Sequence, residues 1–230
     1  MSILDNSPTD AASRRSLLKS GLTIVAAGAM GMSFNLTQAY AQRGAALAGG
    51  AVDLGSGDFG ILNYAYALEQ LEAAFYTTVV AQPYGGMTSD ELNILSDIKK
   101  HEIAHREFFR SALGANAIPD LEVNFAKVNF SNRKSVLTTA KTFEDLGVSA
   151  YNGAGYLLQN VQFLAAAGTI VSVEARHAAI IRDLLSPLSS SFAGNDVVNG
   201  AGLDVARSPS QVLPKAGPFI ATPVSARALS

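Results

Sequence analysis

The chain has 230 residues, a formal charge of −2, no cysteine and three histidines, and only 16% of its residues are charged. The missing cysteine excludes a disulfide scaffold, a cysteine-ligated zinc site and a thiol nucleophile. A near-neutral charge without a basic cluster in the body of the chain argues against nucleic acid as a partner. Because charged side chains are few, the positions of the acids and histidines are the most informative feature.

The first 41 residues predict an export signal. Arg14 and Arg15 precede an uncharged apolar run over residues 21–32, and Ala39-Tyr40-Ala41 follows. Paired arginines, a short apolar run and a small-x-small site resemble a twin-arginine signal. The run of about 12 residues is too short to cross a bilayer roughly 30 Å thick. We therefore expect cleavage near Ala41, a periplasmic or secreted protein, and no stable insertion into a membrane.

Apolar residues recur at helical spacing in four stretches after a lead rich in glycine and alanine. The second stretch begins with a capping-box sequence at Thr88-Ser89-Asp90-Glu91. The inner stripe of the fourth begins at Leu164. The four stretches are residues 58–80, 88–113, 135–158, and a last one from near Asn160 to about Leu185.

The connections between these stretches predict the fold. Two are short, whereas residues 115–134 form a long connection between the second and third helices. Short loops favour antiparallel neighbours, and a long one allows a crossover along the bundle. We therefore predict an all-α antiparallel four-helix bundle with an extended C-terminal tail. The chain divides into a signal at 1–41, a flexible lead at 42–57, the bundle at 58–186 and the tail at 187–230.

Six acidic or histidine side chains fall on inner stripes that are otherwise apolar. A carboxylate in an apolar core costs several kcal/mol unless it is paired, protonated or bound to metal. The first and third helices each contribute one glutamate, and the second and fourth each contribute Glu-x-x-His, whose members share a helix face. At 1.5 Å per residue the four glutamates reach roughly one level of the bundle. The six residues are Glu69, Glu102, His105, Glu144, Glu174 and His177.

This set resembles the ligands of ferritin-like di-metal carboxylate bundles. The resemblance covers about residues 58–186. The sequence around the glutamates is similar to that of a bacterial branch of exported, desiccation-related ferritin-like proteins. The similar segments are residues 68–76, 143–151, 173–177 and the tail segment 208–220.

The resemblance implies two divalent metal ions and a stress-related activity on dioxygen or peroxide, either ferroxidase-like or catalase-like. Two divalent ions would balance the four carboxylates, and oxygen-rich ligation suits iron or manganese, with zinc also compatible. The resemblance leaves a homo-oligomer open.

The two halves look like copies, with tyrosines at matching positions. Tyr76 and Tyr151 follow Glu69 and Glu144, each by seven residues. They are either core aromatics or, as the resemblance implies, hydrogen-bond partners that orient ligand carboxylates from behind.

Glu72 breaks this symmetry, because the matching position in the other half is Gly147. Glu72 lies three residues after Glu69, on the inner face. It is either a solvated helix acid or a third carboxylate beside one metal, and it could take the ligand role assigned to Glu69.

Two alternatives compete with a di-metal oxidoreductase. His101-Glu102-Ile103-Ala104-His105 matches the pattern in which two histidines of a peptidase bind zinc and the glutamate is the base. However, Val173 stands where the second half would need another histidine, so in the bundle we place His101 beside the site rather than in it. The other alternative is a non-catalytic desiccation or stress protein that retains the bundle, although apolar residues would stabilise a purely structural core better.

Overall fold

The computed structural model describes residues 50–229, so the predicted export signal lies outside the described residues. Four long helices dominate this part of the chain, as predicted, and the all-α four-helix fold is confirmed. The elements are β1 (Val52–Asp53), α1 (Gly57–Ala81), α2 (Ser89–Leu113), α3 (Arg133–Ala154), α4 (Val161–Leu185), α5 (Pro209–Ala216) and β2 (Val224–Ser225).

Local signals determine where the long helices begin and end. The predicted capping box of α2 is present: the Thr88 side chain accepts a hydrogen bond from the Glu91 backbone N–H at 3.1 Å, and Glu91 accepts one from the Thr88 N–H at 3.0 Å. The third helix ends four residues before the predicted boundary, in a short 3-10 turn. The Asp58 carboxylate of α1 accepts hydrogen bonds from the backbone N–H groups of Gln159 and Asn160, which holds the segment between α3 and α4 against α1.

The long connection between α2 and α3 lies against α1. Two buried amide side chains of α1 hold it there: Asn63 accepts the backbone N–H of Ile118 at 2.9 Å, and Gln70 accepts that of Leu121 at 2.7 Å. Buried backbone N–H groups need hydrogen-bond acceptors. In this connection the two side-chain amides supply them, whereas in a helix backbone carbonyls do.

The end of the lead and the tail each contain short secondary-structure elements. β1 pairs in parallel with β2, and Val52 of β1 is buried. In the tail, α5 packs on α3. A Cβ on Gly153 of α3 would collide with the Arg207 carbonyl, so this glycine permits the close approach of the tail.

A buried arginine also fixes the start of the tail. The Arg182 guanidinium is 3% exposed and forms ion pairs with Asp145 of α3 at 2.7 Å and Asp196 of the tail at 2.8 Å. These charged groups neutralise one another, which makes the burial of the arginine tolerable.

The fourth helix is apolar yet partly exposed. Its length and composition would allow it to cross a membrane, with a mean hydropathy of 1.3 over its best window, which is weak evidence for a span. Leu164 is 44% exposed, so the inner stripe that we predicted to begin there starts instead at the buried Ile170. The second half of α4 turns toward the bundle interior. The absence of stable membrane insertion stays a prediction.

Candidate metal centre

The six predicted residues come together at one level of the bundle interior. All four glutamates are fully buried, and each of the long helices contributes one of them. Ligand atoms lie within 4.8 Å of one another in two overlapping groups of four residues. We name these the His105 group (Glu69, Glu102, His105 and Glu174) and the His177 group (Glu102, Glu144, Glu174 and His177).

The two Glu-x-x-His motifs interlock across the bundle. The Nδ1 atom of His105 on α2 lies 2.9 Å from Oε1 of Glu174 on α4. In return, Nδ1 of His177 on α4 lies 2.8 Å from Oε1 of Glu102 on α2. Both imidazoles therefore direct Nδ1 into the cluster, and Glu102 and Glu174 belong to both groups.

Each tyrosine crosses to the glutamate of the other half. Tyr76 on α1 donates a hydrogen bond to Oε1 of Glu144 on α3 at 2.5 Å, and Tyr151 on α3 donates to Oε1 of Glu69 on α1. One oxygen of each glutamate is thus held from behind, while the other faces the cluster. This is the geometry expected of groups that orient metal ligands.

The polar atoms left without partners fit a metal site. Ten buried side-chain polar atoms of the described residues have no hydrogen bond, and eight of them belong to the six predicted residues. The glutamate oxygens held by tyrosine are absent from that set. A buried carboxylate oxygen without a hydrogen bond is costly, and a cluster of such oxygens facing two imidazole nitrogens is a donor set that fits a cation. The described residues therefore contain a buried cluster that could bind metal ions.

Electrostatics agrees with this interpretation. Burial raises the pKa of Glu69 to about 7, and burial together with neighbouring carboxylates raises that of Glu174 well above its usual range. Burial alone would lower the pKa of both imidazoles, but the surrounding carboxylates raise it to about 12 for His105 and about 10 for His177. Burial acts against ionisation of Glu102 also, yet the two imidazoles outweigh it and lower its pKa to about 2. Without metal, protons must supply the positive charge that the carboxylates require.

Glu72 is buried beside the cluster and is not a solvated helix acid. Its residue exposure is 3%, and a Cβ on Gly147 would lie 3.2 Å from Glu72 Oε1 and 3.5 Å from Glu174 Oε2. Burial and then the neighbouring carboxylates, Glu174 first, raise its pKa well above its usual range. The glycine therefore makes room for a fifth carboxylate, although Glu72 belongs to neither group of four.

His101 lies at the rim of the cluster and belongs to neither group. Its Nδ1 is 2.9 Å from Nε2 of His177, and the two rings are stacked with an interplanar angle of 5°. Burial and the neighbouring imidazoles lower the pKa of His101. A zinc-peptidase site would need His101 and His105 on one metal, and neither group of ligand atoms found among the described residues contains both. The contact with His177 has no sequence signal, because its members are 76 residues apart.

Comparison with known families agrees with the geometry. The ferritin-like domain family matches residues 57–187, which is more than half of the chain and includes all six residues of the cluster. Comparison with curated proteins returned no match. The match and the bundle together support a di-metal protein, whereas the roles of the six side chains as ligands stay predictions. The chain belongs to the ferritin-like domain family.

Proposed function

We propose that this protein is an exported, stress-related di-metal protein that binds two iron or manganese ions and acts on dioxygen or peroxide. The observation that carries the proposal is the set of eight unpartnered, buried ligand atoms directed into one cluster. An inert bundle would have no reason to retain them, because each raises the cost of folding.

Charge and ligand type favour iron or manganese. The four glutamates of the cluster bring four negative charges, which two divalent ions would neutralise. Carboxylate-rich ligation with one imidazole for each ion suits iron and manganese better than copper, while zinc remains compatible. The His105 group would hold one ion and the His177 group the other, with Glu102 and Glu174 common to both. Bound iron or manganese would supply the redox chemistry toward dioxygen or peroxide.

The protein side chains would position the ions and limit access to them. Tyr76 and Tyr151 hold one oxygen each of Glu144 and Glu69, so those carboxylates keep their orientation. A cleft between α2 and α4 reaches His105, whose side chain is 12% exposed. Its walls are apolar or small residues, which would admit a small neutral oxidant more readily than a charged or bulky molecule. The cleft is lined by Ala104, Phe108, Ala166, Thr169, Ile170 and Val173.

The decisive experiment is anaerobic loading with Fe(II) or Mn(II), followed by metal analysis. We expect about two ions per chain, then dioxygen uptake by the iron form or oxygen evolution from peroxide by the manganese form. A chain that retains no metal would contradict the proposal. Two bound ions without turnover of either oxidant would instead assign the non-catalytic stress role. Peptide hydrolysis that depends on His101 would revive the zinc-peptidase alternative.

Export is tested separately. The paired arginines at 14 and 15 support passage through the twin-arginine route, which accepts folded proteins. Replacing both with lysine should leave the protein in the cytoplasm of a host that has this route, whereas Lys19→Arg should be exported normally. Export of the double-lysine variant would contradict this part of the proposal.

A further inference from the structure

The two imidazoles of the cluster have different surroundings on their outer side. The Nε2 atom of His177 lies 2.9 Å from Nδ1 of His101, in a stacked arrangement with ring centroids 5.1 Å apart. No hydrogen bond joins Nε2 of His105 to another described residue. The residue that corresponds to His101 in the second half is Val173, and it lines the cleft beside His105.

The direction of the hydrogen bond follows from the orientation of His177. Its Nδ1 faces Glu102 at 2.8 Å and Glu144 at 3.5 Å, which is where a metal ion would bind. An imidazole that binds metal through Nδ1 carries its proton on Nε2, so Nε2 donates and Nδ1 of His101 accepts. A hydrogen bond to the far nitrogen of a ligating histidine fixes the ring orientation and raises its basicity.

Resting on the proposed di-metal function, we propose that His101 is a positioning residue that makes the metal position of His177 bind more tightly than that of His105. The two positions share Glu102 and Glu174, and a tyrosine holds the remaining glutamate of each. The outer partner of the imidazole is therefore a specific difference between them. The position that opens to the cleft then holds its ion less tightly.

Two substitutions at position 101 separate hydrogen bonding from ring packing. His101→Phe keeps a planar ring next to His177 but removes the acceptor. His101→Asn loses the ring but offers an oxygen near the place of Nδ1. Lys100→Ala, on the exposed side of α2 next to His101, is the matched control because, among the described residues, the ion pair of Lys100 is with Asp97.

The measurement is calorimetric titration of the metal-free full chain with Mn²⁺ and, separately, Zn²⁺. Wild type should show two unequal affinities. His101→Phe should weaken the tighter one by about 10- to 100-fold, the usual effect of losing such a partner, and leave the weaker one unchanged. His101→Asn should restore most of the loss, and Lys100→Ala should match wild type.

A spectroscopic readout makes the test specific for position. In the diamagnetic Zn²⁺ form, nitrogen-15 spectra should show His177 protonated at Nε2, with a proton that exchanges slowly in wild type and faster in His101→Phe. Val173→His, which offers His105 a similar partner, should tighten the weaker position.

Equal affinities in wild type, or a His101→Phe variant that binds two ions as wild type does, would overturn the inference and leave the di-metal proposal intact. Wild-type protein that binds no metal would instead contradict the di-metal proposal itself.

Discussion

The α1–α2 half and the α3–α4 half of the bundle carry the same ligand pattern in different surroundings. Each half supplies a glutamate, a tyrosine for the opposite glutamate, and a Glu-x-x-His motif. However, Glu72 in the first half faces Gly147 in the second, and His101 corresponds to Val173. The repeated pattern thus covers the six predicted ligands, whereas the residues behind them give the two proposed metal positions different surroundings.

The difference at Glu72 concerns charge. Burial and the neighbouring carboxylates raise the pKa of Glu72, so without metal it holds a proton. If bound cations released that proton, five carboxylates would exceed the charge of two divalent ions by one. Negative charge near a redox metal favours its higher oxidation state. The asymmetry therefore bears on reactivity as well as on affinity, and the following substitutions test it in order of expected effect.

The largest effect should come from the two glutamates common to both ligand groups. Glu102→Ala combined with Glu174→Ala removes a ligand pair from both groups, so bound metal should fall from about two ions per chain to none. Metal analysis after anaerobic loading measures this. Asp97→Ala, an exposed acid on α2, is the control and should bind as wild type. Full loading of the double variant would show that the cluster is not the metal site.

Single substitutions of the other two glutamates should distinguish the two ligand groups. Glu69→Ala affects only the His105 group and Glu144→Ala only the His177 group, so each should retain about one ion. If Glu72 took over the role of Glu69, Glu69→Ala would keep two ions while Glu144→Ala would not. Metal stoichiometry distinguishes these outcomes directly.

Removing the tyrosine hydroxyls should have an intermediate effect. Tyr76→Phe and Tyr151→Phe free one oxygen of Glu144 and Glu69 respectively, so each should weaken one metal position by about 10-fold or more. Competition with a metallochromic chelator measures the affinities. Thr77→Val on α1, whose hydroxyl bonds the Ala73 carbonyl, serves as the control. Unchanged affinities in both tyrosine variants would refute the orienting role.

Rising pH should destabilise the metal-free protein. The pKa of Glu69 is about 7 in the folded state against an ordinary 4.5, and those of His177 and His105 are raised from 6.5 to about 10 and about 12. The folded state therefore binds more protons than the unfolded state. This stability is fully present below pH 4.5 for Glu69 and below pH 6.5 for the two histidines, and it is lost as pH rises through each folded pKa. The lowered pKa of Glu102 contributes stability that is present above pH 4.5 and is lost only as pH falls toward 2, so it does not vary near neutral pH.

Thermal unfolding with a chelator at pH 5.5 and pH 8 tests this expectation. The Tm should fall by several degrees across that range, since about 1 kcal/mol corresponds to roughly 2–4 °C in a domain of this size. Bound Mn²⁺ replaces the protons and should reverse the trend. A metal-free Tm that rises with pH would contradict the charge arrangement described for the cluster.

The smallest effect should come from the glycine opposite Glu72. A methyl group at Gly147 would lie 3.2 Å from Glu72 Oε1, so Gly147→Ala should displace that carboxylate by a few tenths of an ångström and change metal affinity only severalfold. Gly168→Ala on α4 meets open space and should leave affinity unchanged while stabilising the helix by about 1 kcal/mol. Identical behaviour of the two variants would show that Gly147 does not serve Glu72.

Sequence periodicity predicted the long helices and the shared level of the six cluster residues, because both depend on spacing within single helices. Thr88 and Glu91 identified the start of α2 for the same reason, since a cap is a local hydrogen-bond pattern. The Glu-x-x-His repeats likewise place their two side chains on one face, whatever the neighbouring helix is. Whether these residues bind metal is left to the experiments above.

Only the tertiary structure decided the features that join distant parts of the chain. Glu72 could have been a solvated acid until Gly147 was found opposite it, and His101 found its partner 76 residues away. Leu164 fits the stripe of α4 yet is exposed. Periodicity describes which face a residue occupies, but what packs against that face depends on long-range contacts. In this protein, those contacts make the two duplicated halves different.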